Sequence, residues 1–160
     1  MDQQIKHDSL VPSSIQLLFD NDKLDFMKIL CLINALSSIS NKQRKVEELL
    51  FYYSLVNFDL IKLFNIEKKN GFTPSPIQYF RFQTKINEIL LAMSNLKFIE
   101  IKGEMSNKLD ELKVKLLSPG KDFFQQHSTE YFQTLFNRYI EAHSTIKYSS
   151  ENVNKIKEGI

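Results

Sequence analysis

Leu96-Lys97-Phe98-Ile99-Glu100-Ile101-Lys102 and, after a polar connection from Gly103 to Glu111, Leu112-Lys113-Val114-Lys115-Leu116-Leu117-Ser118-Pro119-Gly120 form the stretch that decides the fold. Ile99 and Ile101 alternate with Glu100 and Lys102, and Leu112, Val114 and Leu116 alternate with Lys113 and Lys115. Side chains along a strand point to opposite faces in turn. This period of two therefore predicts two short strands, each with one buried and one wet face, joined as a β-hairpin with a long tip. At the end of the second strand Ser118 is placed to cap a new helix and Pro119 fixes φ for its first turn.

On either side of the hairpin the period changes to that of a helix. Upstream, Phe82, Ile86, Ile89, Leu90 and Met93 fall on one face of a helix over about 76–95. Thr73-Pro74-Ser75-Pro76 leads into it, with Ser75 as N-cap and Pro76 at the first helical position. Downstream, Phe123, Phe124, Tyr131, Phe132, Leu135, Phe136, Tyr139 and Ile140 predict one long helix over about 119–147. In the first half, Phe26, Ile29, Leu30, Ile33 and Leu36 predict a helix over about 23–38, opened by Asp20-Asn21-Asp22 and broken by Ser37 to Asn41. Val46, Leu49, Leu50, Tyr53, Val56, Leu60, Leu63 and Phe64 predict a second over about 43–64, closed by a turn at Lys68-Lys69-Asn70-Gly71.

Helix, two-stranded hairpin, helix resembles the back half of a winged-helix module, where a Ser or Thr followed by a Gly marks the exit from the second wing strand. The fold expected is α+β, mostly α, with an N-terminal helical pair packed on a winged-helix-like C-terminal half (helix, two-stranded hairpin, long helix). One domain over 1–160 suits the length. It divides into an N-terminal helical part over 1–72, a winged-helix-like part over 73–148 and a flexible tail over 149–160.

Composition excludes several classes of function. The 160 residues hold one Cys, so neither a disulfide framework nor a Cys-based zinc site can be built within the chain, and a reducing compartment is implied. Met1 to His7 lack the apolar run of a signal peptide, and Ile29 to Ile33 is far short of the roughly 20 residues of a spanning helix. A soluble cytoplasmic protein is expected. With four Gly and neither a G-x-x-x-x-G-K-[ST] nor a G-x-G-x-x-G run, no phosphate cradle is encoded. His7, His127 and His143 lack metal-ligand spacing, and His127, four before Tyr131 on one expected helix and within reach of it, reads as a surface histidine. Cys31 lies in the apolar stripe of the first helix and reads as a small core hydrophobe. No catalytic, cofactor or metal residues are assigned, and the chain is expected not to be an enzyme.

The wing could touch DNA, but its charges alternate in sign. Residues 73–160 hold twelve basic and ten acidic side chains, and residues 1–72 hold nine of each. A DNA-reading surface concentrates its cations on one face. The nucleic-acid candidates are Arg81 and Lys85 on the helix before the hairpin and Lys113 and Lys115 on its second strand. The aromatics are more telling. Phe51, Tyr52 and Tyr53 are consecutive, and neighbours on a helix point about 100° apart, so one face cannot bury them all. Either that helix is deeply buried or it carries a second apolar face for a partner. The partner-binding candidates are Phe51, Tyr52, Tyr79, Phe80, Phe132 and Phe136.

Taken together, Leu17-Leu18-Phe19-Asp20-Asn21-Asp22 through Leu36, the Thr73 to Pro76 run, Phe98 to Ile101, and Leu116 to Gly120 give a layout that resembles the middle component of bacterial ABC three-component systems. The Lamassu-type anti-phage defence systems are among these. The resemblance implies a non-catalytic, winged-helix-like accessory subunit of an antiviral defence complex. Its partners would be an SMC-like ABC ATPase subunit and a nuclease-type effector subunit, bridged by this chain, with DNA contact only within the complex. The alternative is a small winged-helix DNA-binding transcription regulator, dimeric through its last helix.

Overall fold

The structure, a computed structural model, describes residues 21–64, 77–103 and 111–158. Among these the chain is α+β and mostly α, with six α-helices, one 3-10 turn and one three-stranded antiparallel sheet. The order is α1 (Asn21–Ile39), β1 (Arg44–Lys45), α2 (Val46–Asn57), the 3-10 turn (Leu60–Phe64), α3 (Ile77–Asn95), β2 (Ile99–Lys102), β3 (Lys113–Leu116), α4 (Ser118–His127), α5 (Glu130–Thr145) and α6 (Ser150–Glu158). The expected hairpin is present. β2 and β3 pair antiparallel, with Ile99 opposite Leu116 and Ile101 opposite Val114. Ile99 and Val114 are buried while Glu100, Lys102 and Lys113 are exposed, as the alternation requires.

β3 has a second neighbour that the period could not reveal, because a two-residue strand is too short to show one. Arg44 lies opposite Val114 and Lys45 opposite Lys113, which gives the sheet the order β1-β3-β2. The sheet thus draws on both the N-terminal and the C-terminal parts of the chain. Arg44 anchors the added strand. Its buried guanidinium donates to Glu48 Oε1 at 2.9 Å, to the Leu36 carbonyl at 3.0 Å and to the Ser40 carbonyl at 3.3 Å. It therefore satisfies carbonyls at the end of α1 and ties them to the first turn of α2.

Several boundaries differ from the sequence reading. The long helix expected over 119–147 is two helices, parted at Ser128 and Thr129, where the backbone is extended. The aromatic spacing hides this break because Phe124 and Phe136, one on each helix, still stack with ring centroids 6.1 Å apart. Within the segment expected as a flexible tail, Ser150–Glu158 forms α6 instead. Its Val153 and Ile156 are buried, and it packs on α3 and the 3-10 turn. α2 ends at Asn57 rather than near 64, followed by Asp59 at φ 56° and the 3-10 turn. α1 runs through Ser37 and Ser38 to Ile39, with the Ser38 hydroxyl donating to the Ala35 carbonyl at 2.6 Å. Ser118 does not cap α4: Leu117 holds the N-cap position, and Ser118 and Pro119 begin the helix. The expectations for Asp20, for Lys68 to Gly71 and for Thr73 to Pro76 lie outside the described residues.

Two tight junctions set the hairpin against the helices. At the end of α3 the Phe98 N–H donates to the Met93 carbonyl at 2.9 Å and the Lys97 N–H to the Ser94 carbonyl at 3.0 Å. This is a Schellman closure, with Lys97 at φ 64° in the left-handed position that usually goes to Gly. At the other junction the Leu117 N–H donates to the Phe98 carbonyl at 2.9 Å. A Cβ on Gly120 would stand 2.5 Å from that same carbonyl oxygen, so only glycine lets α4 approach the turn before β2.

α2 occupies the centre, against α1, α3, α5, β1 and the 3-10 turn. Ten of its twelve residues are buried, Val46 and Glu48 to Val56. A helix apolar all round its circumference is stable only when surrounded in this way. Its two tyrosine hydroxyls are paired. The Tyr52 hydroxyl donates to the Ile146 carbonyl at 2.9 Å and the Tyr53 hydroxyl to Asp25 Oδ1 at 3.0 Å. Tyr53 also stacks on Phe82 with centroids 4.0 Å apart. Burial raises the hydroxyl of Tyr52 to about 12 and lifts that of Tyr53 further, so both stay neutral donors.

Candidate interaction surface

The six aromatic candidates separate by burial. Phe51, Tyr52 and Tyr79 belong to the core, with no surface to offer a partner. For α2 this decides between the two readings of an all-round apolar helix in favour of deep burial. Phe132 and Phe136 on α5 are partly buried and packed against the core. Phe80 on α3 is 44% exposed. Its ring meets that of Tyr79 edge-on at 5.6 Å, so the two neighbours divide the work: Tyr79 faces inward and Phe80 outward.

α3 explains that division. Tyr79, Phe82, Ile86, Ile89, Leu90 and Met93 are its buried residues. At about 100° per residue, Phe80, Thr84, Asn87 and Leu91 follow one another at i, i+4, i+7 and i+11 and make a stripe on the side away from that core. Thr84 is exposed, Asn87 half-buried and Leu91 50% exposed, and Leu96, just past the helix end, is 55% exposed. The sequence reading missed Leu91 and Leu96. The signal of Leu91 was present, since it falls off the core periodicity that orders Ile86, Ile89, Leu90 and Met93; Leu96 continues that period and is exposed because the helix ends at Asn95.

The cations of α3 are Arg81 and Lys85. Arg81 is exposed, but Lys85 is turned toward α1, where its ammonium lies 2.7 Å from Asp22 Oδ1 and 2.7 Å from Asp25 Oδ2. Partial burial pulls this ammonium down, and the hydrogen bonds and attraction of Asp22 and Asp25 outweigh it, so its pKa is raised overall. A lysine held between two carboxylates is an α1–α3 clamp rather than a phosphate contact. Lys113 and Lys115 lie on β3, Lys113 exposed and opposite both Lys45 and Lys102, Lys115 half-buried and opposite Glu100. The structure does not bring Arg81 and Lys85 onto one basic face.

The groups considered for chemistry are dispersed. The Cys31 thiol is buried, donates to the Phe132 carbonyl at 3.4 Å, and is pushed up to about 12 by desolvation. His127 rests against Phe123 with centroids 4.4 Å apart, and Tyr131, on the next helix, packs on Phe132 instead. His143 lies against Tyr52, and its pKa is lowered, first by desolvation and then by the charges of Arg44 and Lys42, against the opposing pull of Glu48. Among the described residues no three His, Cys, Asp or Glu side chains gather as a metal-binding group. A groove of about 310 Å³ between α1 and the start of α4 is lined by Asn34, Ser37, Ser38, Asn41, Ser118 and Lys121 beside Leu116 and Leu117. It presents hydroxyls and one ammonium with no carboxylate or imidazole to move a proton. Among the described residues no helix is long and apolar enough to cross a membrane. No family model, no curated protein and no solved structure matches this chain.

Proposed function

We propose that this chain is a non-catalytic interaction subunit that docks a partner protein on the outer face of α3. The observation that carries the reading is the stripe Phe80, Thr84, Asn87 and Leu91, apolar and neutral, on a helix whose Lys85 is already held by Asp22 and Asp25. Exposed aromatic and aliphatic side chains flanked by single charges of each sign, here Arg81 and Glu88, have the composition of an interface centre with a polar rim. The layout resemblance supplies the assembly: a bacterial anti-phage defence complex in the cytoplasm, in which this chain would bridge an SMC-like ABC ATPase and a nuclease-type effector. The test is purification of the tagged chain from its native host, with mass spectrometry and light scattering of the product. A coiled-coil ATPase and a second subunit at fixed stoichiometry, both lost in a folded Phe80→Glu, Leu91→Glu variant, are the expected result.

A second reading has one observation of its own. Helix, strand, helix, helix, strand, strand, with the first strand paired to the third, is the order of a winged helix, and it supports extending that arrangement to α1, β1 and α2. In a winged-helix regulator α3 would read DNA. Recovery of a bare homodimer that shifts one promoter fragment would replace the first proposal by this one.

A further inference from the structure

The outer face of the sheet carries an arrangement that protein sheets ordinarily avoid. Lys45 on β1 is the direct cross-strand partner of Lys113 on β3, and Lys113 is the direct partner of Lys102 on β2. Directly opposed residues share a face, so the three lysines stand in a row across all three strands, and all three are exposed. Opposite like charges destabilise a sheet pair, where Cβ atoms are about 5 Å apart. The described ion pairs involve Arg44, Lys62 and Lys85, and none involves these three lysines. On the opposite face the same register places Arg44, Val114 and Ile101 in line against the core, so the lysines cannot turn inward. Lysines on edge strands commonly guard against edge-to-edge pairing. Lys113 lies on the central strand, where no edge exists to guard.

We infer that the row Lys45, Lys113 and Lys102 is a contact site for the phosphate backbone of duplex nucleic acid. Three residues on strands spaced about 4.8 Å apart span about 10 Å. One strand of a duplex places a phosphate every 3.4 Å along the axis, so about three phosphates lie within that span. Lysine ammoniums are compact point charges suited to phosphate oxygens. The remaining residues of this face, Glu100 and Lys115, oppose each other, and no aromatic ring stands on it to stack a base. The contact is therefore electrostatic and independent of base sequence. It uses the sheet and not α3, so it stands apart from the docking face proposed above.

The test is fluorescence anisotropy of a labelled 30-base-pair duplex, titrated with the full chain at a series of salt concentrations from about 20 mM upward. Three released counterions give a slope of log K against log salt of about −2.7. Each of Lys45→Gln, Lys102→Gln and Lys113→Gln should lower the magnitude of that slope by about 0.9, and the triple variant should abolish binding. Two duplexes of unrelated sequence should bind alike, and Phe80→Glu with Leu91→Glu should leave the titration unchanged. The free protein supplies a second readout. Lys113→Gln should raise Tm at low salt by more than either flanking substitution, because the central lysine has two repelling neighbours. The proposal is overturned by absence of binding at 20 mM salt, by an unaltered slope in the triple variant, or by a fall in Tm for Lys113→Gln. Binding of polyglutamate but not of the duplex would equally overturn it, and would assign the row to an acidic protein segment.

Discussion

α2 and α3 carry the same sequence signal and meet opposite fates. Each contains adjacent aromatics that a single helical face cannot hold, Phe51-Tyr52-Tyr53 on one and Tyr79-Phe80 on the other. α2 is enclosed by helices, a strand and the 3-10 turn, so all three of its rings are buried and the two hydroxyls are bonded. α3 is covered on the side of α2, β2 and α6, which leaves Phe80 and Leu91 outside. The difference teaches that surplus apolar character on a helix is a demand for neighbours. Within the described residues that demand is met for α2 and left open along one stripe of α3.

Phe51→Ala should break the α2 side of this comparison most severely. Its ring is fully buried and meets Tyr52, Phe64 and Tyr148 at 5.0, 6.3 and 5.7 Å, so truncation should cost about 3–5 kcal/mol in urea unfolding. Arg44→Ala should come close behind, at about 3 kcal/mol by the same measurement, because it strands the buried Glu48 carboxylate and removes the tie to the carbonyls of Leu36 and Ser40. Gly120→Ala forces a Cβ against the Phe98 carbonyl and should cost about 1–3 kcal/mol, read as a lowered urea midpoint.

Smaller effects sharpen the comparison at its polar margins. The pKa of His143 is depressed in the folded state, so the unfolded chain binds the proton more tightly. Stability from this group is therefore complete above the ordinary histidine range near pH 6.5 and declines as the pH falls through it. The decline between pH 7 and 5 should flatten in His143→Gln. At the far end of the scale, Phe80→Ala and Leu91→Ala should each change stability by less than about 0.5 kcal/mol, since neither fills the core. A large loss from either would place them in the fold, and the docking face would vanish with it.

The hairpin was fully legible in the residues from Leu96 to Leu116, because a strict alternation leaves only one face to bury. The two-residue β1 was not. Arg44 looked like one more surface cation, and only Leu36, Ser40 and Glu48 arriving around it made it a buried anchor. The division of the last long helix at Ser128 was hidden in the same way, since Phe124 and Phe136 continue one apolar face across the break. α6 carries Val153 and Ile156 among charged and amide residues, too few apolar groups to announce a helix unless another surface is waiting for them.

Of the candidate site, the sequence named Phe80 and Lys113 without being able to separate them from residues that proved to be core or clamp. What the sequence determined by itself was local: the period of each element, the lack of a G-x-x-x-x-G-K-[ST] or G-x-G-x-x-G run, and the aromatic surplus. Which aromatic stays outside, which lysine is neutralised by Asp22 and Asp25, and which three lysines line up across the sheet were decided only by tertiary structure. Burial and charge pairing are properties of neighbours, and the neighbours here lie as far as 111 residues apart in the chain.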